Sequence, residues 1–100
     1  MKPEQFIREY GVDKARDLLD QLHKLGCPDD MKITVINGMW QRTSNGFTYP
    51  ELKRLVESVD RVNAFGGLKD AKAVVKMGKH YKYLKAHISN YESIYGGGDE

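Results

Sequence analysis

Residues 11–20 read GVDKARDLLD and residues 67–76 read GLKDAKAVVK, and these two stretches decide how the chain is organised. They match at the glycine, the aliphatic residue after it, the alanine, the next basic residue and the aliphatic pair. Each glycine follows a segment with apolar residues at helical spacing and precedes another. The pattern predicts two helix, glycine turn, helix units. It is also what any amphipathic helix after a glycine looks like, so both interpretations stay open.

The first unit occupies the N-terminal part of the chain. Pro3 suits the first turn of a helix, because its missing N–H has no helical partner there. After Gly11, a second helix is expected from Val12 to about Leu25, before the stop signals Gly26 and Pro28. Its apolar stripe comprises Ala15, Leu18, Leu19, Leu22 and Leu25.

A β-hairpin follows. Residues 32–36 are rich in β-branched side chains, which favour a strand. Asn37-Gly38 is the strongest short hairpin signal, since a type I′ turn needs positive φ at both central residues. Residues 39–43 would form the return strand.

The C-terminal half is again helical. Residues 48–51, TYPE, form a capping box before a helix that the glycines 66 and 67 end. Another helix starts near Leu68, and a second capping box at residues 89–92 predicts a short last helix through Tyr95. The expected fold class is α+β, with about five short helices in two helix-glycine-helix units and a small antiparallel hairpin. We expect one globular domain over residues 1–95 and a flexible glycine-rich tail over residues 96–100.

Positive charge is concentrated in one segment. Residues 69–87 carry a net charge of +5, whereas the whole chain carries +2. At about 100° per residue, the first four lysines of this run share one helical face. The last two would turn onto the apolar face of the same helix, where burial of unpaired ammonium groups is costly. The helix should therefore end near Gly78, and residues 80–86 should change conformation, to a strand with Tyr81 and Tyr83 on one side. The six lysines are Lys69, Lys72, Lys76, Lys79, Lys82 and Lys85.

These lysines indicate either a solvated helix face or a surface that binds an anionic partner. Tyr81 and Tyr83 could stack on bases beside them, or belong to the core. Trp40, with Met39 and Arg42, could anchor a protein interface, where Trp and Arg are enriched, or Trp40 could cover the core.

Other functional classes find little support in the residues. His23 and Cys27 could supply two zinc ligands, but no second Cys or His pair lies near them, so we expect no metal site. Nucleophile, P-loop and dinucleotide motifs are missing, which predicts neither an enzyme nor a cofactor. Asp17 and Asp20 occupy positions that are apolar in a standard helix-turn-helix, so a simple αα-hairpin is expected. No apolar run approaches the roughly 20 residues of a membrane span, and the N-terminus resembles no signal peptide, so we expect a cytosolic chain without a membrane partner.

Three stretches resemble small accessory proteins of lambda-like enterobacterial phages and prophages. They are residues 1–16, then residues 52–58 (LKRLVES) followed by 65–68 (FGGL) and 71–72 (AK), and finally residues 88–97 (ISNYESIYGG). The resemblance implies expression in the cytoplasm of an infected bacterium and a role as a modulator of host enzymes or defence systems. The first hypothesis is a non-enzymatic accessory protein that binds a host protein. The alternative is a small DNA- or RNA-binding regulator that uses the lysine face.

Overall fold

The computed structural model describes residues 2–78 and 81–96, with residue 81 in its backbone only. Over these residues the fold is α+β, as predicted, with five helices and one two-stranded antiparallel sheet. The elements in chain order are α1 (Pro3–Tyr10), α2 (Val12–Lys24), β1 (Ile33–Ile36), β2 (Met39–Arg42), α3 (Tyr49–Ala64), α4 (Leu68–Lys76) and α5 (Tyr81–Tyr95).

Residue contacts divide the chain into two compact units, with the boundary inside α3. Unit 1 is Met1–Val56 and unit 2 is Glu57–Glu100. The single domain expected over residues 1–95 stays a prediction. Of the expected flexible tail, only Gly96 belongs to the described residues.

The hairpin of unit 1 forms as the sequence predicts. Asn37 and Gly38 have φ angles of 54° and 82°, the positive values that a type I′ turn requires. Ile36 pairs with Met39, next to the turn, and Ile33 exchanges two backbone hydrogen bonds of 2.8 and 2.9 Å with Phe47. Phe47 thereby brings its buried ring against Phe6 of α1, at 5.8 Å between ring centroids.

The apolar faces of α2 and of the first half of α3 form the remaining core of unit 1. In α2 the predicted stripe is buried except at Leu19 and Leu25: Leu19 is half-buried, and Leu25 lies beyond the last helical residue and is exposed. At the start of α3 the capping box forms, with Thr48 N–H donating to Glu51 Oε1 at 3.0 Å and Glu51 N–H to Thr48 Oγ1 at 3.4 Å. The buried apolar residues of α2 and of the first half of α3 are Ala15, Leu18, Leu22, Leu52, Leu55 and Val56.

The repeated sequence corresponds to a repeated local structure. Gly11 has φ 91° and ψ 159°, and Gly67 has φ 115° and ψ −179°. Both glycines lie in a backbone region that other residues almost never occupy. Each caps the next helix without a side chain, and its carbonyl accepts the N–H of a fully buried alanine, Ala15 or Ala71. The two glycines therefore begin α2 and α4 in the same way, although one residue joins α1 to α2 and three residues join α3 to α4.

Unit 2 contains α4, α5 and the last turns of α3. Its core cluster consists of Val62, Ala71, Leu84 and Ile88, with Leu68, Val74, Val75 and Tyr91 packed against it.

Two sequence predictions in unit 2 are wrong. Tyr83 lies in a helix, α5, and not in a strand, and residues 89–92 lie inside that helix and do not begin a new one. Gly78, with a φ of 77°, follows the end of α4 as expected, and α5 begins at Tyr81 with its own helical phase. In the new phase Leu84 and Ile88 are buried while Lys82 and Lys85 are exposed. No described helix is both long and apolar enough to cross a membrane.

Candidate functional site

The structure distributes the predicted lysines over two helices of unit 2. Lys69 and Lys76 are exposed on α4, opposite the buried Ala71, and Lys82 and Lys85 are exposed on α5. None of these four forms an ion pair with another described residue. Of the described lysines on the predicted basic face of α4, Lys69 and Lys76 are exposed as expected, whereas Lys72 is not. Lys79 and the side chain of Tyr81 lie outside the described residues.

Lys72 has a different role from its neighbours. Its Nζ lies 2.9 Å from Glu92 Oε2 of α5, and both side chains are about three-quarters buried, with 23% and 27% of their surface exposed. Because its charge is already neutralised, Lys72 contributes to the packing of α4 against α5 more than to an outward-facing charge.

Tyr83 is the most exposed aromatic side chain among the described residues of unit 2, with 59% of its surface accessible. The Arg61 guanidinium of α3 lies over its ring, with Cζ 5.6 Å from the ring centroid. The His87 ring meets it edge to face at 4.6 Å between centroids. Tyr83 is thus exposed and yet held from two sides. With Arg61, Phe65 and Leu84 it lines a recess of about 280 Å³.

A buried polar network lies behind this surface. Ser58 of α3 has no exposed surface, and its Oγ lies 2.7 Å from His87 Nδ1 of α5. Asn90 Nδ2 donates to the same Ser58 oxygen at 2.9 Å. Burial lowers the pKa of His87, the nearby Arg61 lowers it further, and Glu57 opposes this shift. Both effects favour the neutral imidazole.

Ser58 and His87 are a pair of residue types found in hydrolases, but their setting does not fit that use. The Ser58 hydroxyl is fully buried and already accepts a hydrogen bond from the Asn90 amide. A nucleophile must reach its substrate, so the pair serves to join α3 and α5.

The three hairpin candidates do not share one face. Residues paired across an antiparallel ladder point to the same side, so Trp40 lies with Val35, and Met39 with Ile36. Trp40 is half-buried and its Nε1 donates to Gln21 Oε1 of α2 at 3.3 Å. Met39 is 72% exposed on the opposite face, and Arg42 is exposed on the side of Trp40. Trp40 therefore covers part of unit 1, and the trio forms no continuous contact surface.

His23 and Cys27 line one recess of unit 1, together with Asp29 and Tyr49 among others. Across the described residues, no group of three His, Cys, Asp or Glu side chains is arranged to hold a metal ion. Two ligands alone do not make a closed zinc site.

Sequence reasoning missed Ser58, His87, Asn90, Arg61 and Phe65. A signal for Ser58 exists, since it falls between Leu55 and Val62 on the apolar stripe of α3, where a serine needs a hydrogen-bond partner. The partners on α5 could not be found while residues 80–86 were expected to form a strand.

Comparisons of the chain with protein-family models, curated proteins and solved structures give no match.

Proposed function

We propose that the chain is a non-enzymatic phage or prophage accessory protein, which binds and modulates a host protein in the bacterial cytoplasm. The expected class of target is a DNA-processing or defence complex. The resemblance of three stretches to phage accessory proteins supports this context. The binding surface is assigned to unit 2, on α4, α5 and the end of α3.

One observation carries the proposal: unit 2 combines exposed lysines with an exposed tyrosine whose ring contacts neighbouring side chains. Lys69, Lys76, Lys82 and Lys85 face solvent without ion pairs to described residues, and Tyr83 stands between the last two in sequence. Tyrosine and arginine are enriched at the centres of protein interfaces. Exposed lysines around such a centre attract an acidic partner and speed its association.

The alternative is a DNA- or RNA-binding regulator that uses the same lysines. Their exposure favours it, because phosphate contacts need unpaired cations. Two contacts weigh against it. Lys72 is already bound to Glu92, and Arg61 covers a ring face of Tyr83 on which a base would stack.

Affinity purification from nuclease-treated bacterial lysate tests the proposal. We expect the wild-type chain to recover a defined host protein, and a Lys82→Glu/Lys85→Glu variant to lose it. A Lys2→Glu/Lys53→Glu variant is the matched control, since both of its lysines are exposed residues of unit 1. Equal recovery by all three chains would contradict the assignment to unit 2.

A salt titration with duplex DNA, single-stranded DNA and RNA tests the alternative. Phosphate contacts predict an affinity that falls steeply as salt rises, with a slope that grows with the number of lysines involved. If no nucleic acid binds at low salt, the alternative is excluded.

A further inference from the structure

We infer that the recess of Arg61, Phe65, Tyr83 and Leu84 binds an apolar anchor side chain carried by an acidic segment of a partner protein. This inference rests on the proposed function and names the chemistry of the partner.

The size and lining of the recess set the kind of ligand. Its volume of about 280 Å³ lies just below the roughly 300–1,000 Å³ of typical small-molecule sites. Leu84 is fully buried, whereas Phe65 and Tyr83 are 38% and 59% exposed. An apolar side chain from a partner would cover both rings and remove that area from water.

The geometry around Tyr83 lowers the cost of binding. His87 is fixed by its contact with the buried Ser58 and in turn meets the Tyr83 ring, while Arg61 lies over that ring. A side chain that is already ordered loses little conformational freedom when a partner covers it.

The charges around the recess select an acidic segment and give it a direction. Residues 57–96 contain seven Lys and Arg against four Asp and Glu. The acids of α3, Glu57 and Asp60, precede Arg61 in sequence, whereas Lys82 and Lys85 directly precede and follow the recess residues of α5. Partner carboxylates should therefore lie along α5, with the apolar anchor between them and α3.

Synthetic peptides added to the isotope-labelled full-length chain test the inference by NMR. The probe is a peptide with one central leucine and acidic residues on both sides. Two matched peptides replace the leucine by alanine or the acidic residues by lysine. We expect shifts centred on the amides of Arg61, Phe65, Tyr83 and Leu84, with about tenfold weaker binding of each matched peptide.

Variants of the chain separate the recess from the rest of the surface. Tyr83→Ala should weaken the leucine peptide about tenfold, while Tyr83→Phe, which keeps the ring, should bind like the wild type. Tyr95→Ala is the matched control, since Tyr95 is an exposed tyrosine of α5 that contacts Tyr91 and not the recess. Dispersed amide spectra would show that each variant is folded.

Several outcomes would overturn the inference. They are equal binding of the leucine and alanine peptides, equal binding of the lysine peptide, and shifts centred outside the recess. Unchanged capture of the host protein by Tyr83→Ala would also overturn it. That last result would leave the proposed function intact provided that Lys82→Glu/Lys85→Glu still loses the host protein.

Discussion

Ser58 Oγ lies 2.7 Å from His87 Nδ1, and this contact joins α3 to α5 beneath the most exposed described aromatic of unit 2. The His87 ring in turn contacts the Tyr83 ring, and the Arg61 guanidinium lies over the same Tyr83 ring. A buried serine therefore helps to decide how an exposed tyrosine is presented.

Removal of the Ser58 hydroxyl should destabilise the chain. Ser58→Ala leaves the amide of Asn90 and a ring nitrogen of His87 without their shared partner, which costs about 1–3 kcal/mol. Urea unfolding at neutral pH measures the change. Ser89→Ala, an exposed serine of the same unit, should stay within about 0.5 kcal/mol of the wild type. Equal effects of the two substitutions would show that the buried network contributes nothing.

His87 should make stability depend on pH. Burial and Arg61 hold its pKa below the ordinary value of 6.5, so the folded chain binds this proton less readily than the unfolded chain. The contribution of His87 to folding stability is fully present above the unfolded pKa of about 6.5. It is lost as the pH falls below that value, and the loss levels off below the folded pKa. The titratable or charged groups that face His87 are Glu57 and Arg61 on α3 and Tyr83 on α5. On α4, the charge of Lys72 is paired with that of Glu92.

The measurement is the difference in unfolding free energy between wild type and His87→Gln, followed from about pH 7.5 to about pH 5. The wild type should lose stability relative to the variant as the pH falls. A constant difference, or a relative gain by the wild type, would contradict the lowered pKa.

The two repeat glycines should resist substitution for conformational reasons alone. A Cβ at Gly11 or Gly67 would meet no heavy atom within 4 Å, so Gly11→Ala and Gly67→Ala create no clash. Their φ angles of 91° and 115° nevertheless disfavour an L-residue, at a cost of about 1–3 kcal/mol each. D-alanine, introduced by chemical synthesis, accepts positive φ and should unfold like the wild type. If L- and D-alanine are equally destabilising, the turn geometry is not the cause.

The sequence predicts most elements of this fold because their signals are local. Pro3, the Asn37-Gly38 turn and the box from Thr48 to Glu51 each specify a helix start or a turn within a few residues. The site is less predictable, because it depends on which residues of α3 and α5 meet. The positions of Lys82 and Lys85 correctly predict that α4 ends near Gly78, but they do not distinguish a strand from a new helix after it.

Substitution of Lys72 should affect stability, whereas substitution of the other described lysines of α4 should affect partner binding. Lys72→Met removes the partner of Glu92 in a largely buried contact, so it should lower stability by about 1 kcal/mol while leaving partner binding nearly unchanged. Lys69→Met/Lys76→Met should weaken partner binding while leaving stability nearly unchanged, because both side chains are exposed. Thermal unfolding and host-protein capture, measured on the same variants, check both halves. A loss of capture with Lys72→Met at wild-type stability would refute the distinction.

The central claim is that the binding surface lies on unit 2, and hydrogen exchange of the chain with its captured host protein tests it most directly. We predict slower amide exchange on complex formation in α4, in α5 and at Arg61 to Phe65, with little change in the hairpin. Protection confined to residues 33–42, or spread over unit 1 alone, would contradict the claim.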